Sequence, residues 1–105
     1  MPVPSIEPKA LHARLLAGEV ELVDVREEWE LELAQIAGAR HLPLGELVER
    51  VDELPHERDV VFICHAGVRS MHACHIAKSA GIRAINLRGG IEAWSTEVDP
   101  RVPRY

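Results

Sequence analysis

The segment VVFICHAGVRS, residues 60–70, decides the fold of this chain. Its first part, Val60 to Ile63, is a continuous apolar run, which predicts a strand that is covered on both faces. A tight loop with one glycine follows, and helical spacing then extends from about Arg69 to Ala80, where Gly81 ends it. The segment therefore predicts a strand, a loop and a helix in direct succession.

Short apolar runs alternate with helical patterns on both sides of this segment. Strands separated by helices require right-handed crossovers, so we predict an α/β fold with a single open parallel sheet of four to five strands and helices on both faces. The length of 105 residues fits one domain, residues 1–105. The predicted strands cover residues 20–25, 40–43, 60–63 and 82–87, and the predicted helices cover residues 8–17, 27–34, 44–54 and 69–80 and a short stretch with Ile91 and Trp94.

Composition excludes several classes of function. The net charge is -5 and no basic cluster is present, which argues against nucleic acid and anionic membrane surfaces as partners. No apolar run reaches the roughly 18 residues of a membrane span, and Met1 to Ser5 lacks the features of a secretory signal. Two cysteines are too few for a disulfide scaffold and suit a reducing compartment. We therefore expect a cytoplasmic protein.

Cys64 is the main candidate for chemistry. It follows a buried parallel strand, and ligands of open parallel sheets bind beyond the carboxyl ends of the strands. The loop ends at a helix N-terminus, whose free amides and dipole stabilise an anion, and Gly67 lets the loop curl so that amides point inward. Arg69 would add a permanent positive charge. These features predict an exposed, reactive thiolate; the alternative is that Cys64 is only the last apolar residue of the strand.

Four motifs resemble those of single-domain rhodanese-like proteins, in the same order and at similar spacing. The loop from Cys64 to Ser70 resembles the Cys-x-x-Gly-x-Arg-Ser active loop of that family. Its four residues between cysteine and arginine make the loop one residue shorter than in related phosphatases and arsenate reductases, which favours holding a single sulfur atom. The other three motifs are LVDVRE at 22–27, IAGAR at 36–40 and LRGGIEAW at 87–94.

The resemblance implies a sulfurtransferase in which Cys64 takes sulfane sulfur from thiosulfate or another persulfide donor. A thiol, or cyanide in an assay, would then remove the sulfur. No cofactor and no metal is implied. The family often has arginine where His65 stands, and some thiosulfate enzymes have a basic residue in place of Ala66, so these positions bear on thiosulfate binding. The implied substrate-binding residues are His65, Ala66, Gly67, Val68 and Arg69, and the implied supporting residues are Asp24, Arg26 and Ser70.

Two other functions stay open at this stage. A sulfur-relay module would hand sulfur to a protein sulfur carrier in cofactor or tRNA thiolation, and the tail from Val98 to Tyr105 resembles the ending of domains of that kind. A rhodanese-shaped binding domain would have no catalysis. The expected acceptor is a low-molecular-weight thiol, a thioredoxin-like protein or a sulfur carrier. The oligomeric state is not predicted.

The remaining candidates have simpler explanations. Cys74 lies in the predicted helix and is expected to pack as a small apolar residue. His72 and His75 share a helix face but lack a third ligand for a metal. Trp29 and Trp94 are expected to be packing residues, the alternative being a platform for the substrate. Asp24 is expected either to cap the following helix or to pair with Arg26.

Overall fold

The computed structural model describes residues 2–105, which form five strands and five α-helices in alternation. Two short 3-10 turns flank the third helix, at Leu44–Glu46 and Val51–Glu53. The strands are β1 (Ser5–Ile6), β2 (Val20–Asp24), β3 (Arg40–His41), β4 (Asp59–Ile63) and β5 (Ala84–Leu87). The helices are α1 (Pro8–Leu16), α2 (Glu28–Leu33), α3 (Leu47–Arg50), α4 (Val68–Ser79) and α5 (Gly90–Glu97).

The five strands form one open sheet in the order β1-β5-β4-β2-β3, and every pair is parallel. The central pair β2 and β4 is in register from Val20 opposite Asp59 to Asp24 opposite Ile63. This arrangement confirms the predicted α/β fold with a single open parallel sheet. The two-residue strand β1 was not predicted, since it has too few residues to show a pattern.

Helices cover both faces of the sheet, as predicted. One apolar cluster joins α3 and α4 to β2 and β4 through Leu47, Ala73 and Phe62. The second cluster packs Leu11 of α1 and Ile91 of α5 against the other face. Because β4 is covered on both sides, Val60 to Ile63 are all fully buried. The carboxyl end of the central strand, and the loop that follows it, thus lie at one edge of the buried core.

Two expectations about local structure were wrong. The single helix expected over residues 44–54 is interrupted, because its two ends form 3-10 turns at Leu44–Glu46 and Val51–Glu53 and Arg50, with φ of -114°, lies outside helical angles. Trp29 does not pack in the core but is 60% exposed, since the short helix α2 turns its neighbour Glu30 inward instead. Trp94 is buried, as expected. Within residues 2–105, no helix has the length and apolar character needed to cross a membrane.

Candidate active site

Cys64 directly follows β4, and its sulfur lies inside the loop that connects this strand to α4. The backbone N–H of Gly67 donates a hydrogen bond to Sγ at 3.1 Å, and the hydroxyl of Ser70 lies 3.2 Å from Sγ. Both groups belong to the first turn of α4 or to its cap, where amides lack intrahelical acceptors. The Gly67 amide therefore points at the sulfur, and the Ser70 hydroxyl lies beside it.

The expectation that Cys64 is exposed was wrong. The residue is only 1% exposed and belongs to the apolar cluster on the α4 side of the sheet. Its burial follows from the same geometry that supplies the donors, because the loop curls over Sγ to direct the Gly67 amide inward. The loop therefore shields the sulfur from solvent.

Two glycines set the shape of this loop. Gly67 caps α4 with φ of 110°, in the left-handed region that favours glycine. Gly90, with φ of 60°, allows α5 to approach the loop so closely that a Cβ there would lie 2.5 Å from the carbonyl oxygen of Cys64. The amide of Ile91 donates to that same oxygen at 2.9 Å. The start of α5 thus holds the backbone at Cys64, where the loop begins.

Asn86 orders the loop from the neighbouring strand and was missed by the sequence analysis. The hydroxyl of Ser70 donates to Asn86 Oδ1 at 2.5 Å, and Asn86 Nδ2 donates to the carbonyl oxygen of Gly67 at 3.2 Å. With its proton engaged by Asn86, the Ser70 oxygen is free to accept a hydrogen bond from a Cys64 thiol. Its only sign in the sequence is that an amide side chain stands within the predicted strand of residues 82–87.

Arg69 does not direct its guanidinium at the sulfur, contrary to expectation. It forms a two-pronged ion pair with Glu30, at 2.5 Å from Nη1 to Oε1 and 2.8 Å from Nη2 to Oε2. The hydrogen bonds from Arg69 hold the pKa of Glu30 at about 2. Pairing with Glu30 in turn raises the pKa of Arg69. Arg69 therefore has its charge compensated by Glu30.

Asp24 pairs with Arg26, one of its two expected roles. Arg26 is fully buried, and its Nη2 donates to Asp24 at 2.7 Å and to the carbonyl oxygen of Ala34 at 2.7 Å. The cap of α2 is formed instead by Glu27, in a reciprocal capping box with Glu30. The buried pair forms the inner wall beside the loop, and it fixes the segment that carries Glu30.

Tyr105 links Glu30 to the buried Asp24–Arg26 pair, and the sequence analysis did not identify it. Its hydroxyl donates to Glu30 Oε2 at 2.7 Å and accepts from Arg26 Nη1 at 2.8 Å. Its ring stacks on His65, with centroids 4.2 Å apart and an interplanar angle of 12°. Burial raises the pKa of the phenol. The tail thus returns to the loop, which the proline-rich sequence of residues 100–105 did not indicate.

The remaining loop residues form its outer surface. His65 is half-buried, and its Nε2 lies 3.8 Å from Glu92. Ala66 and Val68 are exposed, Val68 at 80%. The structure therefore places the predicted residues 64–70 together, with Asp24 and Arg26 in the adjacent wall.

The other candidates lie outside this site or are buried apart from it. Cys74 is fully buried, and burial raises its pKa to about 12. Both cysteines are free. His72 and His75 are exposed, and in the part of the chain from residue 2 onward no group of three acidic, histidine or cysteine side chains is placed to hold a metal.

Comparison with known proteins agrees with this geometry. Residues 7–97 match the Rhodanese-like domain family. The chain belongs to that family. It is 41% identical over 95 residues to a sulfurtransferase of Allochromatium vinosum, covering 89% of each chain. It is 34% identical over 102 residues to YtwF of Bacillus subtilis, covering 96% of this chain and 99% of that protein.

A solved structure extends the likeness to three dimensions. The human single-domain sulfurtransferase TSTD1 superposes with a TM-score of 0.84 at 26% identity, covering 90% of this rhodanese-like domain and 97% of TSTD1. The likeness covers nearly the full length of both chains, and so includes the strand, loop and helix around Cys64. Relatives of this rhodanese-like domain are thus named as sulfurtransferases.

Proposed function

We propose that residues 1–105 form one rhodanese-like domain that acts as a sulfurtransferase, with Cys64 carrying sulfane sulfur as a persulfide. The observation that carries the proposal is the contact of Sγ with the Gly67 amide at 3.1 Å and the Ser70 hydroxyl at 3.2 Å. The Gly67 amide at the helix start stabilises a thiolate or the terminal sulfur of a persulfide, and the Ser70 oxygen accepts the proton of the resting thiol. The family supports the same chemistry.

The reaction is a double displacement. The Cys64 thiolate attacks the sulfane sulfur of the donor, the donor's bond to that sulfur breaks, and its electron pair leaves with sulfite or a thiolate. An acceptor thiolate then attacks the outer sulfur of the Cys64 persulfide, which forms the acceptor persulfide and returns the Cys64 thiolate. Both steps place negative charge on sulfur inside the loop, where the Gly67 amide stabilises it.

The buried position of Cys64 assigns a role to loop motion. Ala66 and Val68 lie on the exposed side of the loop, so their displacement would open the way to Sγ without disturbing the core. In the proposed cycle the loop opens to admit the donor and closes over the persulfide. The remaining proposed substrate contacts are those of His65, at the loop's outer side, and Arg69, at the start of α4.

The donor is a small sulfane-sulfur compound such as thiosulfate or a persulfide. The acceptor is a low-molecular-weight thiol, a thioredoxin-like protein or a protein sulfur carrier, and cyanide would serve in an assay. Two free cysteines suit a reducing compartment, which is consistent with a cytoplasmic reaction. In this mechanism no cofactor or metal takes part.

Intact-protein mass spectrometry tests the proposal. The reduced protein is incubated with thiosulfate or with the persulfide of 2-mercaptoethanol, desalted and weighed. The proposal predicts a gain of one sulfur atom that is reversed by cyanide and absent in Cys64→Ser. A wild-type protein that gains no sulfur from either donor would contradict the proposal and favour a non-catalytic binding domain. Faster transfer to a sulfur carrier protein than to small thiols would identify a relay module.

A further inference from the structure

Glu30 binds both terminal nitrogens of Arg69, the arginine at the end of the active loop. The two hydrogen bonds from Arg69 to Glu30, at 2.5 and 2.8 Å, form a bidentate pair of the strong, charge-assisted kind. A sulfonate group would have to bind the remaining N–H donors of a guanidinium whose positive charge is already compensated by the Glu30 carboxylate. An anionic donor must therefore share Arg69 with Glu30.

Glu30 is also held firmly in place. It is 2% exposed, and it accepts hydrogen bonds from the Tyr105 hydroxyl at 2.7 Å and from the Glu27 amide at 3.0 Å. With Arg69, these contacts account for both of its oxygens. A carboxylate buried among so many donors stays ionised and does not swing away at low cost. Displacing it from Arg69 would leave a buried charge partly unpaired.

The other arginines beside the loop are also neutralised. Arg26 is bound to Asp24, and Arg104 is bound to Glu92 at 2.7 Å, on the His65 side of the loop. Of the described residues around the loop, each arginine thus has a carboxylate partner. The site therefore offers a donor the loop amides but little uncompensated positive charge from side chains.

The two classes of sulfane-sulfur donor differ in the charge that they bring. Thiosulfate is a dianion at neutral pH and releases sulfite, so it places two negative charges beside Glu30. A protonated thiol-derived persulfide, RSSH, is neutral at its reacting end. Attack by the Cys64 thiolate on its outer sulfur gives the Cys64 persulfide with its proton and releases the thiolate RS⁻, so one negative charge is present throughout. Like charges brought together in an interface are strongly unfavourable.

We propose that Glu30 is a specificity-determining residue that selects thiol-derived persulfides over thiosulfate as sulfur donors. Glu30 acts through Arg69, by compensating the charge of the guanidinium and by repelling a dianion at the loop. This inference rests on the proposed function and narrows its donor class. It explains why a cradle of amides with an arginine at its end need not be a thiosulfate site.

The test measures the rate of sulfur loading on Cys64 from each donor, under single-turnover conditions and by intact mass. The donors are thiosulfate and the persulfide of 2-mercaptoethanol. The wild-type protein is expected to load at least about tenfold faster from the persulfide. Glu30→Gln, which keeps the capping-box hydrogen bond because glutamine also serves at that position, is expected to lower this ratio about tenfold by speeding thiosulfate loading.

The matched control is Glu28→Gln, which removes the same charge from an exposed position two residues away on α2. It is expected to leave the donor ratio within about twofold, since exposed charges are well screened. A wild-type ratio near one, or an unchanged ratio in Glu30→Gln, would overturn the inference while leaving the proposed function intact. A wild-type ratio near one overturns the inference even where the Glu30→Gln variant fails to fold. Loading from neither donor would overturn the proposed function and the inference with it.

Discussion

The surroundings of Cys64 and Cys74 differ although the two cysteines share one apolar cluster. Both are free and almost completely buried, at 1% and 0% exposed. The sulfur of Cys64 contacts the Gly67 amide and the Ser70 hydroxyl. Cys74 lies within α4, where burial raises its pKa to about 12. The two cysteines therefore differ in position relative to the helix start and not in burial, and the proposed function assigns the chemistry to the one at the helix start.

The largest expected effect comes from removing each sulfur in turn. Cys64→Ser is expected to reduce sulfur transfer to cyanide by at least about a thousandfold, because it removes the nucleophile. Cys74→Ala is expected to keep the rate within about twofold and to cost about 1 kcal/mol of stability through a small cavity. Steady-state assays and urea unfolding of both variants measure these effects. Equal loss of activity in the two variants would contradict the claim that only Cys64 takes part in the reaction.

Alkylation should separate the two thiols in the folded protein. At pH 8 only about one Cys74 in ten thousand would be a thiolate, because its pKa is about 12. We expect iodoacetamide to modify Cys64, through loop opening, at least about a hundredfold faster than Cys74. Peptide mapping against time gives both rates, and urea-unfolded protein is the control in which both thiols should react. Faster labelling of Cys74 in the folded state would contradict the assignment of roles.

Gly90→Ala should disturb the surroundings of Cys64 and leave those of Cys74 intact. The added Cβ would collide with the carbonyl oxygens of Cys64 and His65, at a φ of 60° that L-residues avoid. We expect a loss of about 3 kcal/mol in the free energy of unfolding, measured with urea. Gly38→Ala is the matched control: its φ is also positive, but no atom lies within 4 Å of the new Cβ. It should cost about 1 kcal/mol. Equal losses would show that the close approach of α5 is unimportant.

Acid should weaken the wall of the Cys64 site through Glu30. Its pKa is lowered from 4.5 to about 2 by the hydrogen bonds from Arg69. A lowered pKa in the folded state gives stability that is present above pH 4.5 and is lost as the pH falls toward 2. We expect Glu30→Gln to remove about 2 kcal/mol of this pH-dependent stability, measured by urea unfolding between pH 6 and pH 2. The same pH dependence in the variant would show that the Arg69 contact does not stabilise the folded state.

What the sequence could predict was determined by local contacts. Neighbouring residues determine the strand at Val60 to Ile63, the curled loop and the start of α4. The structure has all three in the predicted order. Asn86 and Glu30 were missed because they contact the loop from 16 and 39 residues away. Tyr105 was missed because its contact with Glu30 spans 75 residues. The same distant contacts explain why Arg69 was expected to face the sulfur. In the sequence, Glu30 looks like the other acidic residues of α2, and only the fold brings it to Arg69.

Locating the transferred sulfur tests the central claim most directly. The protein is treated with the persulfide of 2-mercaptoethanol, the persulfide is trapped with an alkylating agent, and the peptides are sequenced by tandem mass spectrometry. We expect the extra sulfur on the peptide with Cys64, with none on the peptide with Cys74. Sulfur found on Cys74, or a protein that carries no extra sulfur, would contradict the account.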